Sequence, residues 1–178
     1  GLFIAKTGNI SLLKSPNKPV EALCLNSLGL FYCQNLGESM QKNDLAVQEA
    51  LTWLGTPYHH QGRVKGVGVD CATLLCEVYE AVGLIDHYDP GPYPPDWHMH
   101  QMGQRYLEHI KKFCDQVDDP QPGDIVLYHF GKCISHAAIV VEWPTIIHSY
   151  IHQGVILQDG TKGSLARRIA GFYRLRGL

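Results

Sequence analysis

Gly66-Val-Gly-Val-Asp-Cys-Ala-Thr-Leu-Leu-Cys-Glu-Val-Tyr-Glu-Ala-Val-Gly83 carries the clearest structural signal in the chain. Cys71, Leu74, Leu75, Val78 and Val82 recur at helical spacing, so the stretch reads as a helix with one buried face. Asp70 is a good N-cap, because its carboxylate accepts from the unpaired N–H groups of a first turn. Gly83 stands where such a helix stops. Cys71 is then the first helical residue, where free N–H groups and the positive end of the helix dipole favour a thiolate. The expectation is a reactive sulfur at the head of a buried helix.

On the N-terminal side, Val47, Ala50, Leu51 and Leu54 mark an earlier helical face, with Asp44 as its N-cap and Gly55 as its stop. Thr56 to Gly62 is a loop between the two helices. After Gly83, the proline-rich run from Asp89 to Trp97 can be neither helix nor central strand. Asp96 is placed to cap a third helix with Met102, Tyr106, Leu107, Ile110 and Phe113 inside. Beyond Pro122-Gly123 the period changes. Asp124 to His129, Ser135 to Val141, Thr145 to Ile151, Gly154 to Leu157 and Ala170 to Leu175 read as strands joined by short connections. Helices first and an antiparallel meander second predict an α+β domain, with the nucleophile helix packed on one face of the sheet. That domain is expected over residues 40–178. Residues 1–39 space their apolar residues irregularly and include Pro16 and Pro19, so they read as an extension, an arm or a cloning remnant.

With 178 residues and a net charge of −2, the chain has room for one sizeable core and no bias toward nucleic acid or an anionic membrane. Its apolar runs, such as Ala137 to Val141, are too short to span a bilayer. No basic, apolar and small-residue sequence of a signal peptide opens it. The six cysteines include no C-x-x-C pair. Cys76 and Cys114 read as small buried hydrophobes. His59-His60 and His98-x-His100 lack carboxylate or thiol partners at ligand spacing, so they read as loop residues near a cleft mouth. No metal or other cofactor is expected.

Cysteine hydrolases need a sulfur nucleophile, an imidazole to move its proton, and a group that orients the imidazole. His136 opens an apolar strand, and His148 lies on the next one. If these strands pair around Glu142-Trp-Pro-Thr145, His136 falls near residue 151 and His148 faces the other way. A shift of one residue puts position 150 opposite His136 and makes His148 a diagonal neighbour on the same face. In that register His148 accepts the ring N–H of His136 and leaves the other nitrogen for Cys71.

Five blocks carry a resemblance to a known family: Trp53-Leu-Gly-Thr-Pro-Tyr58, Gly66-Val-Gly-Val-Asp-Cys71, Gln121-Pro-Gly-Asp-Ile125, Ser135-His-Ala-Ala-Ile-Val140 and Ile146-Ile-His148. In this order they resemble the signature blocks of the NlpC family of papain-like cell-wall peptidases, over about residues 44–175. The Pro92-Tyr-Pro-Pro-Asp-Trp97 block is similar to the branch that phages and gene-transfer agents encode with their tail proteins. The resemblance implies a papain-like fold with Cys71 as nucleophile, His136 as base and acid, and His148 as orienting residue. It implies Tyr58 as an oxyanion or substrate contact, and Asp70 as a contact for a substrate amine. The substrate would be a peptidoglycan stem peptide cut between D-γ-glutamate and a diamino acid, with tail proteins as partners. The protein would reside in a virion tail, or in bacterial cytoplasm before assembly. The alternatives are an N-acetylmuramoyl-L-alanine amidase, a structural tail component with a vestigial cleft, and an acyltransferase. The order of cysteine before histidine counts against the last. Ala72-Thr73 departs from the Ser-Gly pair that many relatives carry after the cysteine.

Overall fold

The computed structural model describes residues 10–12, 22–25, 31–34, 41–94, 103–131 and 133–178. The chain divides into two compact units, Gly1–Met40 and Gln41–Leu178. In the first, strands β1 (Ile10–Leu12), β2 (Ala22–Leu25) and β3 (Phe31–Gln34) form an antiparallel three-stranded sheet in chain order. Ser11 pairs with Leu23, and Cys24 with Tyr32. Each strand spans only three or four residues, too few for alternation to stand out in the sequence.

The second unit opens with helix α1 (Lys42–Leu51), capped by the extended Gln41 rather than by Asp44, which lies inside its first turn. A short hairpin of β4 (Arg63–Val64) and β5 (Gly68–Val69) then leads into helix α2 (Cys71–Ala81). This hairpin crosses the preceding loop so closely that only glycine fits. A Cβ on Gly68 would lie 2.5 Å from that of His59, and one on Gly62 would lie 2.5 Å from the Gly68 carbonyl oxygen. Helix α3 (Gly103–Phe113) runs without a break into β6 (Cys114–Val117). The expected cap Asp96 and core residue Met102 lie outside the described residues, as do His98 and His100.

The main sheet is built from β6, β7 (Ile125–Phe130), β8 (Cys133–Glu142), β9 (Thr145–Tyr150), β10 (Gly154–Asp159) and β11 (Ile169–Leu175). Its order is β10-β9-β8-β7-β11-β6, antiparallel throughout. Side chains alternate across it as strand geometry requires. Ile125, Leu127, Ala137, Ile139 and Ile147 pack with Leu74, Leu75, Val78 and Tyr79 of α2 and with Tyr106 and Ile110 of α3. Val126, Ala138, Val140 and Ile146 point the other way and are covered by Leu165, Trp143 and Phe172. The fold is α+β, with the cysteine helix packed against both α1 and the sheet. At the closing strand, Arg174 donates two hydrogen bonds of 2.8 Å to the fully buried Asp124, tying β11 to the start of β7.

Candidate active site

Asp70 is 2 % exposed and its carboxylate is committed on both oxygens. Oδ1 accepts from the backbone N–H groups of Ala72 and Thr73, and Thr73 Oγ1 accepts from the Asp70 N–H, completing a capping box. Oδ2 accepts from Gln61 N–H at 2.8 Å and from the Tyr93 hydroxyl at 2.7 Å, with His60 Nδ1 at 3.6 Å. Asp70 thus fastens the helix start to two loops. The departure at Thr73 has a structural reason as well. Its hydroxyl donates to the Gly62 carbonyl at 2.6 Å, pinning the hairpin loop against α2.

Cys71 follows at the first helical position, partly exposed on the wall of a cavity of about 390 Å³. His136, Tyr58, Tyr106 and Tyr150 line the same cavity. The sulfur is reached by the Tyr106 hydroxyl and by the N–H of Ala137, the residue next to His136. Burial, and then the Asp70 charge, push the thiol up to about 12. This corrects the expectation of a resting thiolate. The helix dipole and the nearby donors act in the expected direction, but desolvation of a charged sulfur outweighs them. His136 is held well below the usual imidazole range by burial and by its neighbour His148. The resting pair is therefore a neutral thiol and a neutral imidazole.

The two histidines meet because the β8–β9 register slips by one residue. Glu142 pairs with Thr145, but Val140 pairs with Ile146 and Ile139 with Ile147, leaving a bulge at Val141. Continuing that register makes His136 and His148 diagonal neighbours on one face. His136 Nε2 lies 2.7 Å from His148 Nδ1, and both rings are buried.

A residue that the sequence did not single out bears on which nitrogen carries which proton. Gln158, on β10, lies two pairs along from the residue opposite His148, hence on the same face. Its Nε2 donates to the Lys162 carbonyl at 3.4 Å, so its Oε1 faces His148 Nε2 at 3.2 Å and accepts that proton. His148 Nδ1 is then the acceptor and His136 Nε2–H the donor, leaving His136 Nδ1 as the basic atom. Burial holds His148 down at about 4. Polar residues in strands are too common for Gln158 to stand out in sequence. Tyr106, expected only as core, is the second such residue.

Tyr58 sits beside Cys71, and its phenol is pushed up to about 12 by burial and by the charges of Cys71 and Asp70, so it stays a proton donor. The Cys71 N–H is one of the orphan donors of the first helical turn. His60 lines the cavity, while His59 is exposed on the loop. Among the described residues no group of three or more His, Cys, Asp or Glu is placed to hold a metal ion. Nor is any helix long and apolar enough to cross a membrane.

The NlpC/P60 family model matches residues 55–174, which spans the capped cysteine, both histidines and Gln158. The chain belongs to the NlpC/P60 family. Comparison with curated protein sequences finds no match. Among solved structures, an NlpC/P60 family protein from Bacillus cereus aligns with a TM-score of 0.57 at 21% identity, over 98% of this chain and 53% of that one. The peptidoglycan hydrolase RipB of Mycobacterium tuberculosis aligns with a TM-score of 0.50 at 16% identity, over 76% and 64%. RipD of the same organism, described as a non-catalytic NlpC/P60 domain protein adapted to peptidoglycan binding, aligns with a TM-score of 0.51 at 18% identity, over 79% and 100%. The chain spans about half the length of the Bacillus protein. These NlpC/P60 neighbours share the α+β fold, and the chain carries an NlpC/P60 domain.

Proposed function

We propose that the protein is a cysteine peptidase that hydrolyses amide bonds in peptidoglycan stem peptides, of the γ-D-glutamyl–diamino acid endopeptidase type. The observation that carries this reading is the 2.7 Å contact of His136 with His148, with Cys71 and His136 on one cavity. As Cys71 Sγ attacks the scissile carbonyl carbon, its proton passes to His136 Nδ1. The carbonyl oxygen takes up negative charge, facing the Cys71 N–H and the Tyr58 hydroxyl. The imidazolium formed on His136 is held by its Nε2–H bond to His148. It then gives its proton to the leaving amine as the C–N bond breaks, and a thioester remains on Cys71. Water activated by His136 releases the acid and restores the thiol. The Tyr106 hydroxyl and the Ala137 N–H stabilise the sulfur when it carries charge.

Delivery with a phage or gene-transfer-agent tail belongs to the same proposal and rests on the Pro92 to Trp97 block, of which residues 95–97 lie outside the described residues. The test is digestion of purified sacculi followed by mass spectrometry of the soluble fragments. Wild type should release fragments ending in free γ-D-glutamate, and Cys71→Ala should release none. Fragments ending in free lactyl groups would reassign the bond to the amidase alternative. No release by wild type would favour a binding or tail-structural role, as in the non-catalytic neighbour.

A further inference from the structure

We propose that Arg105 is the anchor for a free carboxylate that flanks the scissile amide, making the site selective for stem peptides whose carboxylates are not amidated. This rests on the function proposed above and names the chemical form of the substrate. Arg105 lies near the start of α3, directly before Tyr106, whose hydroxyl reaches the Cys71 sulfur. It lines the same cavity as Cys71 and His136, beside Pro90 and Tyr93. Its guanidinium lies 3.9 Å from where a Cβ on Gly91 would stand, so it sits over the loop that forms this end of the cavity.

The other polar groups at this end are already engaged. The Tyr93 hydroxyl donates to Asp70, and the Tyr93 carbonyl accepts from His60 and Gln61. Both Asp70 oxygens are taken, which leaves it poorly placed to receive a substrate amine. Tyr88 contacts His109 and Lys112. Arg105, by contrast, makes no ion pair or hydrogen bond among the described residues. A half-buried guanidinium on a largely apolar wall gives up part of its hydration, with no anion in return among the described residues. An arriving carboxylate supplies that anion, and the flat guanidinium fork matches its two oxygens. Lys112 adds positive charge further along the helix and Glu108 opposes it, while burial, then Lys112 and Arg105, hold His109 below the usual imidazole range and so uncharged at neutral pH. A γ-linked glutamyl residue keeps a free α-carboxylate next to the reacting carbonyl, and a diamino acid brings a second one on the amine side. Either is within the chemistry of one guanidinium.

The experiment uses synthetic L-Ala-γ-D-Glu-diamino acid peptides in three forms: both carboxylates free, the glutamyl α-carboxylate converted to carboxamide, and the diamino acid carboxylate converted to carboxamide. Cleavage by wild type should fall about tenfold in kcat/KM, mainly through KM, for one of the two amides. Arg105→Gln should cleave the free acid at that lower level and no longer distinguish the forms, with Arg105→Lys between. Calorimetric binding of the same peptides to Cys71→Ala protein reads the anchor without turnover, and the same amide should bind about tenfold more weakly. Equal KM and equal Kd for all three forms would overturn the proposal while leaving the peptidase reading intact. Discrimination that persists in Arg105→Gln would overturn it too. Binding discrimination without cleavage would support the anchor and remove the peptidase.

Discussion

Gln158 acts on Cys71 only through two intervening rings, and its effect is on proton placement. With its carbonyl on His148 Nε2–H, the whole chain of donors runs one way, toward a basic His136 Nδ1. Gln158→Leu strands that N–H and frees His148 to adopt the other tautomer. We expect kcat to fall about tenfold with KM little changed, checked by steady-state cleavage of a stem peptide. A second consequence concerns the sulfur. Because burial pushes the Cys71 thiol up to about 12, its alkylation by iodoacetamide should be slower than that of free cysteine at pH 7 and still climbing at pH 9. A rate plateau at mildly acidic pH would contradict the neutral-pair description. The sequence shows why Cys71 stands at a helix start, but the burial that opposes a thiolate arises only in the folded chain.

Helix α2 was legible almost residue by residue, because cap, stop and buried face all point the same way. What lies around it was less so. Strand β6 escaped notice because α3 passes directly into it at Phe113–Cys114, with no glycine or proline to mark a change. The β4–β5 hairpin has two residues a side, too short to show a period. The face shared by His136 and His148 depended on one bulge at Val141, and nothing in Val140-Val-Glu142 announces it. Thr73 illustrates how a family departure becomes intelligible in structure. Thr73→Gly, which restores one residue of the common pair, removes a capping partner and the tie to Gly62 and puts glycine inside a helix. Urea unfolding should show a loss of about 2 kcal/mol; an unchanged midpoint would mean that the hairpin loop is held by Asp70 alone.

On the scale of the whole molecule, two imidazoles kept neutral by burial tie stability to pH. The unfolded chain binds protons on these rings below about 6.5, whereas folded His148 does not until about 4. Its stabilising contribution is thus full above 6.5 and is lost as pH falls toward 4, by about 3 kcal/mol in all. Thermal melts across this window should show the loss in wild type and a shallower one in His148→Gln. Equal slopes would place the acid sensitivity in other groups. The same burial lets His136 remain a base in mildly acidic surroundings, so activity should extend to lower pH than an ordinary imidazole permits. All of this converges on one chemical event, the capture of an acyl group by Cys71. Intact-protein mass spectrometry of wild type, quenched in acid during turnover of a stem peptide, tests it most directly. The account predicts a transient adduct of the acyl fragment, localised to the Cys71 peptide, sensitive to hydroxylamine and absent from Cys71→Ala. Cleavage that proceeds in Cys71→Ala would contradict it.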